Sequence, residues 1–205
     1  ATAMGQIIYY WKYPNSLYID DSYRYISTCD PGDGWGLRMI YVDDYYRWLD
    51  FPSFSELNAR LADIDYSGDS LEIADLCFAC GIAVKMNYSS EGSGAFVWNP
   101  YAEVDAERAF ENTFGYQAEG KLGEDADFYD VLENNMKEGK PALLGIYGTL
   151  GGHAIVADGF RSTGEFHLNF GWGADLPDPI SEAWYFLPEG MPYDYSIVAC
   201  GVVNI

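Results

Sequence analysis

The sequence predicts an α+β fold, with helices over about residues 1–140 and antiparallel strands over about 141–205. Two observations carry this. SFSELNARLADI, DSLEIADLCFACG and DFYDVLENNMKEG have helical spacing and helix-end signals, and all lie in the first part. PALLGIYG, GHAIVADGF, EFHLNFGW, EAWYFL and SIVACGVVNI are short apolar runs separated by turn residues, and all lie in the second. Helices and strands are segregated rather than alternating, which argues against βαβ units.

The chain opens ATAMGQIIYYWKYP, where Met4, Ile7, Ile8 and Trp11 mark one face of a helix that must end before Pro14. No capping residue precedes the stripe apart from Thr2, which lies inside it, and there is no initiator Met. The expectation is a helix cut at its first turn. SYRYISTCDPGDGWG reads as turns, because Pro31, Gly32, Gly34 and Gly36 interrupt any element. Ser53 and Glu56 form a capping box for the next helix. Asp63 and Asp65 suggest a calcium loop, but its closing acid would fall at Ala74, so both read as solvated turn residues. A further helix is capped by Asp69, with Glu72 three residues on and Gly81 at its end. GIAVKMNYS reads as a strand entering the Gly/Ser stretch SSEGSGA. Phe128, Leu132 and Met136 share the face of a last helix stopped by Gly139 and Pro141.

With 205 residues, 49% hydrophobic and 17% aromatic, the chain suits one domain over 1–205 built of two packed lobes. No run approaches the roughly 18 apolar residues of a membrane span. A net charge of −21 argues against nucleic acid and against an anionic membrane as partners. Cys77 and Cys80 form a C-x-x-C inside an apolar helix and read as buried thiols; zinc would require both histidines, His153 and His167, as further ligands. No metal or cofactor is expected.

The chemistry concentrates in GGHAIVADGF-RST-GEFHLNFGWG. Two apolar strands about a short turn form a hairpin, which returns Asn169 and Trp172 toward His153. Phe166, Leu168 and Phe170 share one face of the second strand, with His167 and Asn169 on the other. An imidazole needs an orienting partner before it can act as a base, and Asn169 could supply it while Trp172 excludes water. Gly151 and Gly152 would clear room for a passing substrate backbone. On the residues alone, His153 reads equally as a satisfied strand-end histidine. His167 lies between apolar residues and is given a structural role. The nucleophile is missing: Cys200 sits in an apolar terminal strand, Cys80 at a helix end that disfavours a thiolate, and Cys29, in a loop, stays open.

Together these stretches resemble the streptopain-like cysteine peptidases, secreted bacterial enzymes with a papain-like fold. ATAMGQIIYYWKYP resembles the segment following that family's catalytic Cys. GIAVKMNYSSEGSGA resembles its cleft strand and loop, and GGHAIVADGF with HLNFGWG its His and Asn blocks. YYRWLDFP matches a weaker Tyr-x-Trp block. The resemblance implies a papain-like fold, helical lobe first and a β-sheet or barrel lobe second. It implies His153 as base, Asn169 as its orienter and Trp172 as a shield. It also implies Ser93 and Gly94 beside a specificity pocket that favours a hydrophobic residue. The substrate would be a peptide or protein and the inhibitor the enzyme's own pro-segment. Two departures stand out: Phe170 occupies a position where an indole often follows the Asn, and the Cys would fall two residues before Ala1. The chain as given is therefore expected to be inert, its imidazole and carboxamide facing the start of the opening helix across a groove. Two other readings are a peptide-binding module lacking the Cys, and a carbohydrate-binding platform built from the 18 Tyr and 6 Trp.

Overall fold

Helix α1 (Thr2–Trp11) buries Ala3, Met4, Ile7 and Ile8, as the spacing of the apolar residues requires. No side chain caps its start. The buried stripe does not extend to Trp11, which is 37% exposed. The computed structural model describes residues 1–29, 34, 36–42, 52–89, 92–149, 151–172 and 182–205. The Tyr-x-Trp block around Trp48 and much of the turn-rich 30–36 stretch lie outside the described residues. Among the described residues, no helix is long and apolar enough to cross a membrane.

The chain divides into two compact units, one up to Phe96 and one from Val97 onward. In the first, α1 is followed by a hairpin of β1 (Tyr25–Cys29) and β2 (Arg38–Val42), then α2 (Phe54–Arg60) and α3 (Ser70–Ala83). The capping box at α2 is present in both directions: Ser53 Oγ accepts from Glu56 N, and Glu56 Oε2 accepts from Ser53 N at 2.9 Å. Asp69 caps α3 by accepting from the amides of Leu71 and Glu72. Asp65 accepts from Ser67 N, an exposed turn bond of the kind expected there.

Three expectations are corrected in this unit. Gly81 does not end α3, which continues to Ala83; a Cβ at Gly81 would collide with the Tyr88 hydroxyl, so the glycine serves packing. Consequently GIAVKMNYS is not a strand. The chain leaves α3 through Lys85 in the left-handed region (φ 48°) and makes one antiparallel bridge, Asn87 to Gly94. The turn-rich stretch contains β1, whose pattern is inverted: Ser27 is buried and bonded to Asn87 Oδ1 and Tyr88 N, while Ile26 points outward.

The second unit holds α4 (Ala106–Asn112), capped by Asp105, and a six-stranded antiparallel sheet. The strands are β3 (Glu119–Leu122), β4 (Ala142–Gly148), β5 (Gly151–Phe160), β6 (Phe166–Asn169), β7 (Glu182–Tyr185) and β8 (Tyr195–Val203), in the order β3-β8-β4-β5-β6-β7. The edges β3 and β7 stay apart, so the expected sheet-or-barrel is an open sheet, not a closed barrel. Helix α5 (Phe128–Lys137) packs on β4, β5 and β8, and its Phe128, Leu132 and Met136 share one buried core with Leu144, Ile155, Leu168 and Val203. The change of character near residue 141 thus falls inside this unit, because α5 belongs with the sheet it covers.

Candidate active site

β5 and β6 form the expected hairpin. Val156 pairs with Asn169 and Phe160 with Phe166, with an irregularity between Ala157 and Gly159. The turn closes with Gly164 N donating to Arg161 O and Arg161 N donating to Glu165 O. Burial alternates along β6: Phe166 and Leu168 are buried, His167 and Asn169 half-buried. The chain leaving β6 therefore runs back along β5 toward its start.

That return brings Trp172 onto His153, with ring centroids 5.2 Å apart and planes 25° from parallel. Phe170 lies nearly parallel to the same imidazole, 6.3 Å away at 13°, and Tyr195 follows at 6.1 Å and 26°. His153 is half-buried among these rings.

The imidazole's hydrogen bond runs from Nε2 to the main-chain carbonyl oxygen of Phe170, 2.9 Å away. A carbonyl only accepts, so Nε2 carries the proton, and in the neutral ring the lone pair is on Nδ1. Asn169 uses its Oδ1 differently, accepting from Gly171 N at 2.8 Å. Gly171 stands at φ 74°, where a side chain would be strained, so amide and glycine together shape a tight turn. The Phe170 carbonyl is thus a partner of the imidazole that the sequence did not name, and the Asn169 amide holds the turn that presents it. A main-chain acceptor leaves no mark in the sequence, so this partner was not visible there.

The other predicted residues fall as follows. Gly151 (φ 104°) has open space where a Cβ would stand, but at Gly152 that space is filled by the Tyr147 ring, at 2.9 Å. Ser93 and Gly94 belong to the first unit and are exposed; Ser93 Oγ accepts from Ser89 N, and Gly94 makes the bridge to Asn87. His167 places Nδ1 2.5 Å from Asp158 Oδ1 and leans on Trp184. Tyr195 and Tyr193 were not singled out from the sequence, although the Tyr–Asp–Tyr ahead of the last apolar strand marks a turn poised at its start.

None of the three thiols described suits a nucleophile. Cys80 and Cys200 are buried and Cys77 is partly so, all three free, and burial pushes each thiol above its ordinary range. Cys29 lies in β1, with its side chain outside the described residues.

Comparison with known proteins identifies the family. The chain is 28% identical over 182 residues to the thiol protease/hemagglutinin PrtT of Porphyromonas gingivalis, covering 84% of this chain and 19% of PrtT. It is 26% identical over 181 residues to streptopain of Streptococcus pyogenes, covering 84% of this chain and 42% of streptopain. It thus spans less than half the length of either relative. Among solved structures it is similar to a cysteine-to-alanine mutant of a prointerpain A fragment from Prevotella intermedia. That match has a TM-score of 0.59 and 25% identity, over 99% of this chain and 60% of the other. A family model described as the peptidase C10 family matches residues 1–178, and the chain accordingly belongs to that family.

Proposed function

We propose that the chain is part of the catalytic domain of a cysteine endopeptidase, with His153 as the group that moves the proton. The observation that carries this reading is the bond from His153 Nε2 to the Phe170 carbonyl, which leaves Nδ1 as the proton acceptor. Family membership supports peptide-bond hydrolysis as the reaction. Burial and the raised thiols of Cys77, Cys80 and Cys200 speak against these three as the nucleophile, and the resemblance to the streptopain-like peptidases would put that cysteine ahead of Ala1 in the parent protein.

In this mechanism the cysteine S–H proton passes to His153 Nδ1, and the thiolate attacks the peptide carbonyl carbon. The tetrahedral oxyanion is stabilised by N–H donors and collapses as His153 Nδ1–H protonates the leaving amine. Water, deprotonated by the same nitrogen, then hydrolyses the thioester and regenerates the thiol. Asn169 acts by holding the turn that orients the imidazole, and Trp172 shields it. Ser93, Gly94, Gly151 and Gly152 are proposed to contact the peptide. The parent is proposed to be a secreted bacterial enzyme restrained by its own pro-segment.

Casein hydrolysis tests this. The full-length parent should cleave casein only while its thiol is free, and His153→Ala should abolish cleavage. Residues 1–205 alone should show none; thiol-dependent turnover by that chain would move the nucleophile to Cys29. A second reading, glycan binding, is favoured by the exposed rings of Tyr10, Trp11, Tyr13 and Tyr18, and glycan-array binding by the chain would support it.

A further inference from the structure

From the geometry around His153, we infer that Tyr195 and Phe170 are positioning residues for its imidazole, acting on ring and tautomer rather than on substrate. This rests on the peptidase reading above and adds two residues to it.

Three observations converge. The first is the ring geometry. Phe170 and Tyr195 both lie within 26° of the imidazole plane at centroid separations of 6.3 and 6.1 Å, inside the range of offset stacking. They also pack on one another at 6.3 Å. Together with Trp172 they confine the ring's tilt, and the Phe170 carbonyl confines its rotation. The imidazole is thus fixed in two independent coordinates.

The second is backbone strain. Tyr193 and Asp194 stand consecutively in the left-handed region, at φ 56° and 60°. Such a conformation is unfavourable for a bulky residue such as Tyr193 and persists only where its surroundings enforce it. Its consequence here is specific: Tyr193 is set edge-on to Trp172 at 5.0 Å, and Tyr195 is set against His153. The strained pair therefore delivers one ring to the shield and the next to the base.

The third is the room made for that turn. Gly148 ends β4 opposite Tyr195, and a Cβ there would stand 2.5 Å from the Asp194 carbonyl oxygen and 2.9 Å from Tyr195 Cα. Only glycine lets the strained turn pass at that separation. Core filling alone would explain a buried aromatic residue; it does not explain two left-handed residues and a glycine that bring it parallel to an imidazole.

The test is nitrogen-15 NMR of the 205-residue chain, which contains only two histidines. In the wild type His153 should show a protonated Nε2 whose hydrogen exchanges at least about tenfold more slowly than that of an exposed imidazole. Tyr195→Leu should mix the two tautomers and remove that protection, whereas Tyr195→Phe should retain both. The His167 signals, set by Asp158, should not move and report that the sheet is intact. An unchanged His153 in Tyr195→Leu overturns the inference, as does an unprotected Nε2–H in the wild type, a result available even if the variant does not fold. In the full-length peptidase Tyr195→Leu should lower kcat about 10- to 100-fold with KM within twofold, rescued by Phe. The NMR result does not depend on the thiol, so loss of the peptidase reading and loss of this inference remain separate outcomes.

Discussion

His153 donates from Nε2 to the carbonyl oxygen of Phe170 across 2.9 Å, and Phe170 stacks its ring on the same imidazole at 13°. One residue thus fixes the protonated nitrogen through its main chain and shares in fixing the plane of the ring through its side chain. The nitrogen left to accept a proton follows from a main-chain group, which a side-chain substitution at 170 does not remove.

Asn169 should therefore act through the turn. Asn169→Ala loses the bond to Gly171 N and should cost about 1 kcal/mol of stability, together with a fall in the parent's kcat. Asn169→Asp keeps an acceptor oxygen and should retain most of both. Urea unfolding and casein kinetics on the two variants decide this; equal loss in both would assign Asn169 a role that needs its NH2.

How far these features were legible in the sequence depends on the range of the interaction that makes them. Helix α2 could be read because its capping box is local, and α5 because Phe128, Leu132 and Met136 repeat on one face. The strands β4 to β8 announce themselves as apolar runs between turns. The β1–β2 hairpin could not be read, because its buried face holds Ser27 while Met39 and Tyr41 are 69% and 56% exposed, which reverses the usual pattern. Helix α4 has a visible Asp105 cap but only seven residues, and β3 is a short edge strand whose Gly120 lies under the Trp98 indole. Ile82 and Val84 suggested a strand, yet end a helix, since a short apolar run does not distinguish the two. At the site, the hairpin and the approach of Trp172 to His153 were readable. The Phe170 carbonyl and the Tyr195 ring arise from backbone geometry and distant pairing.

The capping box gives a second prediction. Ser53→Ala removes the acceptor for Glu56 N at the start of α2 and should cost about 1 kcal/mol, read as a lower urea midpoint with an unchanged slope. No shift in midpoint would mean that tertiary contacts alone hold the helix.

The core beneath the hairpin gives a third. Leu132 is fully buried between α5 and the sheet, so Leu132→Ala should cost about 2–5 kcal/mol by the same assay. A loss under 1 kcal/mol would show that α5 collapses into the space.

Alkaline pH should weaken the fold. Burial raises the thiols of Cys77, Cys80 and Cys200 and the phenols of Tyr25, Tyr66 and Tyr88. An acid whose folded value is raised contributes stability that is complete below its unfolded value and is lost as pH rises toward the folded one. Thermal midpoints should hold up to about pH 8.5, where ordinary thiols ionise, and fall steadily above it. Constant midpoints to pH 11 would contradict the burial of these groups.

The most direct test of the central claim is the reactivity of the nucleophilic cysteine in the full-length parent. Its rate of alkylation by iodoacetamide near pH 6 should fall about 100-fold or more in His153→Ala, because the thiolate is sustained by transfer of its proton to Nδ1. His167→Ala should leave that rate unchanged. Equal alkylation rates in wild type and His153→Ala would contradict the assignment of His153 as the base.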